Sequence, residues 1–313
     1  MTGKFDISAH DARFASRTSA EDWARILAFR NLPHFFDGVR CHEGIMQPLF
    51  ANNFILSKVA VEFWRFQLLV LTLYLHSVRD YKDPRTGLTL SNLQKTCAKL
   101  GLASPGRVYA YLNIMRLGGY LTSVRSKLDT RVVHLEPTPM FMATVEEWNE
   151  GIFESIDAAY PQGELQALSR RHLGLAEGMR VSGAEALLAG WQPLDPFPEV
   201  FHFAAVDGGW MLLEHIVSLA LRHPDGITLE PVALDMRRMS KQFGGSRSNL
   251  LRVLETGYEF GLLDAPPASG KHILFSSCTV CAYITFIASF LSYFQDHTMI
   301  ALRRIEAREA ARR

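Results

Sequence analysis

The sequence predicts a mainly α chain with small β-hairpins, an α+β class, built as two similar domains, and three observations carry that expectation. Gly87-Leu88-Thr89-Leu90 returns about 140 residues later as Gly226-Ile227-Thr228-Leu229, a spacing that points to a duplicated small domain rather than a solenoid unit. After each GxTL come an apolar-periodic segment, a Gly-containing turn and a second helical pattern opened by a serine, Ser104 or Ser246. Each second pattern runs out at a glycine followed by an apolar pair, Gly119-Tyr120-Leu121 and Gly261-Leu262-Leu263.

Taken in chain order, residues 1 to about 20 are polar and expected to be poorly ordered. Ser19-Ala20-Glu21-Asp22 has the pattern of a capping box, and Trp23, Ile26 and Leu27 follow at helical spacing until Leu32-Pro33 stops the helix. Residues 53–78 read as a long helix, almost wholly apolar over 66–75, with a counterpart at 210–221; Trp64 and Trp210 hold comparable places. The first domain then has the longer connection, 79–86, containing Asp83-Pro84-Arg85. Ser104 and Ser246 have the chemistry of N-caps, and Pro105 takes the first helical position, where its missing N–H costs nothing. Val108, Leu112 and Met115 form the buried row of one helix, and Leu250, Val253 and Leu254 that of the other.

Strand, helix, turn, helix, strand and a following hairpin is the order of a winged helix-turn-helix, whose capped second helix enters a major groove. The expected organisation is an N-terminal helical extension (1–50), a first winged-helix domain (51–160), a helical and Pro-rich connector (161–205) and a second winged-helix domain (206–313), the two domains related by pseudo-twofold symmetry. In the connector, 164–188 is helical and 191–198 is too rich in proline to be.

With 313 residues, 48% of them hydrophobic, the chain is long enough for two packed cores. A net charge of +1 hides a local asymmetry. Residues 87–131 carry Lys95, Lys99, Arg107, Arg116, Arg125, Lys127 and Arg131 against Asp129 alone, whereas 132–164 carry seven acids and no Lys or Arg. A basic block on the helix-turn-helix and its wing is the electrostatic footprint of a DNA-binding face.

Other chemistry is weakly supported. Four cysteines make no disulfide framework, and no secretory signal opens the chain, so cytoplasm is the expected compartment. Cys278-Thr279-Val280-Cys281 lacks metal partners and a cationic setting and reads as buried, inert thiols. The histidines show no paired ligand spacing, and Gly244-Gly245-Ser246 is too short for a P-loop. No catalytic residue, metal site or cofactor is expected, and the chain does not read as an enzyme. The uncharged run 273–294 is long enough to span a bilayer, but it starts as a strand and holds Ser276, Ser277, Thr279, Ser289 and Ser292, which favours a buried helix and no membrane role.

Residues 120–138, Y-L-T-S-V-R-S-K-L-D-T-R-V-V-H-L-E-P-T, resemble the wing of the MarR family of bacterial transcriptional regulators, in which an Asp-x-Arg tip and a returning strand follow the recognition helix. The resemblance covers roughly 55–160 and, more weakly, 205–305. It implies that Arg131 reaches the minor groove while Asp129 orients the wing, and that a small-molecule effector cavity lies between the dimerisation helices and the DNA-binding part. Residues 32–36 or 197–203 could line such a cavity, although core packing is the better reading of both. MarR proteins are usually single-domain homodimers, so one chain with two heads is either a monomeric pseudo-dimer or a homodimer.

The two heads differ. The family's recognition helix often has an arginine six residues past the capping serine; the second head has Arg252 there and the first has Ala110. The second wing has only Ser269-Gly270-Lys271-His272 in place of Asp-x-Arg. The DNA-binding candidates are Ser104, Gly106, Arg107, Tyr109, Asn113, Arg125, Lys127, Asp129 and Arg131 in the first head and Ser246, Arg247, Ser248, Asn249, Arg252 and Lys271 in the second. Helix N-termini and wing cations suit phosphates, while Arg and Asn have the donor and acceptor geometry for guanine and adenine. Arg237, Arg238 and Lys241 read as phosphate contacts or as a solvated face. The expected function is a transcriptional regulator on double-stranded DNA, both heads engaging sites about one helical turn apart. The alternatives are a winged-helix protein-interaction scaffold and a replication-initiator-like DNA-binding protein.

Overall fold

The computed structural model describes residues 5–51, 62–221, 227, 229–243, 245–267 and 272–312. Among these the chain is mainly helical, with two small antiparallel sheets of two strands each. It divides into two compact units. Unit I comprises Met1–Phe63, Glu154–Gly163 and Gln192–Ser292; unit II comprises Trp64–Phe153, Glu164–Trp191 and Tyr293–Arg313. Neither unit is a contiguous stretch, since each draws on three separate stretches of the chain.

Unit I begins with α1 (Asp11–Ala15), α2 (Ala20–Arg30) and α3 (Phe35–Ala51). Ser19 caps α2 by accepting from the Asp22 N–H at 3.1 Å, as the capping pattern predicts. From Asp11 onward the N-terminal segment is a packed part of this unit, where the sequence suggests poor order over the first 20 residues. Phe14 is fully buried against Phe197, with ring centroids 5.7 Å apart, and Arg13 pairs with the buried Glu199. Phe35, Phe197 and Phe203 are likewise core, which leaves them as packing residues. Helices α10 (Pro198–Ala204) and α11 (Gly209–Ala220) follow in this unit, and Trp210 packs on Tyr283 and Phe286. Strand β3 (Val232–Ala233), α12 (Met236–Phe243), α13 (Arg247–Glu259) and β4 (His272–Ile273) complete the order, β3 pairing with β4.

Unit II holds α4 from Trp64 onward (the helix runs Phe63–Ser77), α5 (Leu90–Lys99), α6 (Pro105–Leu117), and strands β1 (Leu121–Arg125) and β2 (Val133–Pro137). It also contains α8 (Leu165–Arg171) and α9 (Leu175–Leu188). Trp191 stacks on Tyr293 at 3.8 Å, and the Tyr293 hydroxyl donates to the Gly183 carbonyl. Two long helices, α7 (Pro139–Ala159) and α14 (Ser277–Ala310), each contribute residues to both units. Helix α14 is long and apolar enough to cross a membrane, and 83% of its most apolar stretch is buried inside the protein.

The expected central helix is described from Phe63 onward; residues 52–61 lie outside the described residues. Gly226 and Thr228 of the second GxTL also lie outside them. The first GxTL ends in a cap, since the Thr89 hydroxyl accepts from the Asn92 N–H at 3.1 Å and opens α5. The corresponding cap in unit I is Asp235, whose carboxylate accepts from the Arg237 and Arg238 N–H groups. Helix α12 therefore starts well beyond Leu229. The short motif that suggests a repeat sets the wrong register for its first helix.

Candidate nucleic-acid interface

Two helix–helix segments, 89–117 in unit II and 235–259 in unit I, open their second helices in the same way. Ser104 Oγ accepts from the Arg107 N–H and Ser246 Oγ from the Asn249 N–H, and each opens a helix of 13 residues. Val108, Leu112 and Met115 are buried along α6, and Leu250, Val253 and Leu254 along α13, as the spacing predicts. Each helix closes on a left-handed glycine, Gly119 at φ 75° and Gly261 at φ 71°. The next N–H, of Tyr120 or Leu262, returns to the carbonyl five residues earlier, Met115 or Gly257, so a residue with a Cβ would be strained at either glycine.

The exit from each helix then leads to a hairpin. In unit II, β1 and β2 pair in register from Leu121↔Pro137 to Arg125↔Val133. The Leu135 N–H also donates to the Leu88 carbonyl, which anchors the hairpin to the residues ahead of α5. In unit I, Leu263 bridges Phe275, the Ser276 N–H donates to Leu262, and β3–β4 holds the outer part. Thr138 and Ser276 then cap α7 and α14 by accepting from the N–H groups of Phe141 and Thr279.

Exposed on α6 and its approach are Ser104, Gly106, Arg107 and Tyr109, with Asn113 half-buried. Tyr109 is 55% exposed, so it belongs to the outward face rather than to the packing. The Arg107 guanidinium lies 5.7 Å from the centre of the Trp64 ring, a cation–π contact that fixes the edge of this face. On α13, Ser246, Arg247, Ser248 and Arg252 are exposed, and Asn249 is half-buried with its carbonyl accepting weakly from Arg252 Nη2 at 3.4 Å. Arg237, Arg238 and Lys241 are exposed on α12.

The hairpin tip of unit II is ordered by its own side chains. Ser126 Oγ accepts from the N–H groups of Leu128 and Asp129, and the Ser126 N–H donates to Val132. Asp129 grips Arg131 three ways: the backbone N–H at 3.1 Å and Nε at 3.0 Å reach Oδ1, and Nη2 at 2.9 Å reaches Oδ2. Those hydrogen bonds hold the Asp129 carboxyl below the usual carboxylate range. The Arg131 side chain remains 89% exposed, a guanidinium with a set orientation and free outer donors. Arg125 and Lys127 are exposed beside it. The predicted Lys271 of the other hairpin, with Ser269 and Gly270, lies outside the described residues.

Sequence reasoning missed the supports behind this face. Gln94 on α5 donates to the Pro105 carbonyl in the first turn of α6 at 3.0 Å, and Arg79 pairs with Glu136 on β2 at 2.9 Å. Neither carries a sequence signal, because both are long side chains bridging elements distant in sequence.

Elsewhere, Cys281 is buried and its thiol pushed up to about 12, and burial also raises Cys278, so both are protonated near neutral pH. Among the described residues no group of three or more His, Cys, Asp or Glu side chains could hold a metal ion. No family model, curated protein or solved structure matches the chain.

Proposed function

We propose that this chain is a transcriptional regulator that binds double-stranded DNA through tandem MarR-like winged helices, one in each unit. The observation that carries the reading is the Asp129-oriented, exposed Arg131 at the tip of a basic hairpin that directly follows a Ser-capped helix with Gly106, Arg107 and Tyr109 facing solvent. Wing cations of this kind fit the narrow, strongly negative minor groove, and the capped helix fits the adjoining major groove. In the second head the work falls to Arg247 and Arg252, whose forks can take guanine O6 and N7.

The test is duplex binding at low salt by the wild type, Arg131→Ala and Arg252→Ala. Arg131→Ala should lose about five- to tenfold on every sequence, as a phosphate or minor-groove contact does. Arg252→Ala should chiefly flatten discrimination between sequences. Wild-type affinity in both variants, on folded protein, would remove the assignment.

A further inference from the structure

The connection ahead of α5 contains a second copy of the device at the hairpin tip. In Asp83-Pro84-Arg85 the Arg85 N–H and Nε both donate to Asp83 Oδ1 at 3.0 Å, and Nη2 donates to Oδ2 at 3.1 Å. The Asp129–Arg131 pattern matches it atom for atom. Arg85 is 85% exposed, against 89% for Arg131, and hydrogen bonding to its arginine lowers the Asp83 carboxyl just as it does Asp129.

The turn is also fastened to the proposed DNA-binding head. Asn92 on α5 donates to the carbonyls of both Arg85 and Gly87, at 2.8 and 2.9 Å. Two residues further along, Gln94 holds the first turn of α6. Thr86 Oγ1 accepts from the Asp80 N–H and closes the loop on itself. Arg79 fills the space where a Gly87 Cβ would stand, lies over the Tyr81 ring and reaches Glu136 on the hairpin. Arg85 is thus displayed from a braced turn joined by side chains both to the recognition helix and to the wing. An exposed arginine whose rotamer is already chosen loses little entropy when it engages an anion.

We propose that Arg85 is a further phosphate-binding arginine of the first head, presented by Asp83 as Arg131 is presented by Asp129. The inference rests on the DNA-binding reading above. A DNA backbone phosphate is the ligand of choice because Nε and one Nη2 hydrogen are already committed to Asp83. What remains is Nη1 and the outer Nη2 hydrogen, enough for phosphate oxygens, while the Asp83 carboxylate beside the fork repels a second anion that approaches off that line. Asp83 is accordingly a positioning residue.

The experiment is a salt titration of binding to a mixed-sequence duplex of about 30 base pairs, long enough for two heads. The wild type is compared with Arg85→Ala, Arg85→Lys and Arg131→Ala. Arg85→Ala should weaken binding about fivefold on all sequences and reduce the slope of log affinity against log salt by about 0.9, the signature of one lost phosphate contact. Arg85→Lys should restore the slope but only part of the affinity, because an ammonium cannot take the three-point grip of Asp83. Wild-type affinity and slope in Arg85→Ala, with Arg131→Ala weakened, would overturn the inference while leaving the DNA-binding reading intact. Failure of the wild type itself to bind duplex DNA would overturn both.

Discussion

The 87–138 segment of unit II and the 232–276 segment of unit I share the Ser cap, the 13-residue length and the left-handed exit of their second helices, yet they present different surfaces. Helix α6 carries Arg107 and Arg116 and no acid, and a five-residue hairpin with an Asp-gripped arginine follows it. Helix α13 carries Arg247 and Arg252, but Glu255 and Glu259 are exposed on it too, and the strand pairing described after it is a single bridge, Leu263↔Phe275. The caps and exits fix backbone geometry, so they vary little; the outward side chains are free to diverge. On the proposed function, unit II supplies most of the phosphate grip and unit I adds sequence reading through a shorter list of contacts.

The cores differ as well, and there the largest effect is expected. All the buried acids among the described residues, Glu43, Glu199 and Glu214, belong to unit I. Glu199 is paired with Arg13 and Arg17, whereas Glu214 is fully buried beside Trp210 with no cation paired to it among the described residues. Burial pushes Glu214 up to about 8 from 4.5. Between those values the folded chain holds a proton that the unfolded chain has released, so stability falls as pH rises through the window and levels off above it. Buried His42, lowered to about 4 from 6.5, tilts the opposite way on the acid side, losing stability as pH falls from 6.5. Denaturant unfolding should therefore show stability falling by roughly 1 kcal/mol per pH unit between pH 6.5 and 7.5, and Glu214→Gln should abolish the fall. A pH-independent midpoint in the wild type would contradict this.

The shared backbone gives a matched pair of smaller effects. Gly119→Val and Gly261→Val each force a β-branched residue into the left-handed region at about 1–2 kcal/mol, and chemical unfolding should find the two costs similar. A large cost at one and none at the other would break the equivalence of the two helix exits.

Much of this architecture was written locally. Ser19, Ser104 and Ser246 act as caps because a serine ahead of an apolar-periodic run offers an oxygen to N–H groups that have no other partner, a property of four consecutive residues. Gly119 and Gly261 are legible for the same reason. The register of α12 was not, because GxTL is short and the working cap in unit I is Asp235, a different residue type at a different distance. The division into units was hidden too, since α7 and α14 pass between them without a break in sequence pattern. At the candidate site, the Asp-x-Arg tip is readable in the sequence, whereas Asp83-Pro84-Arg85 lies in a connection of no regular pattern, and only its hydrogen bonds make it the twin of that tip. The burial of Glu214 has no sequence signal, because an acid on a helix is ordinarily a solvated residue.

The most direct test of the central claim is the salt dependence of duplex binding by the intact chain. Affinity should drop steeply between low and moderate salt, with Arg131→Ala shallower than the wild type by about one phosphate contact. Binding that ignores salt, or no duplex binding at all, would contradict a DNA-reading function and favour a protein-binding scaffold.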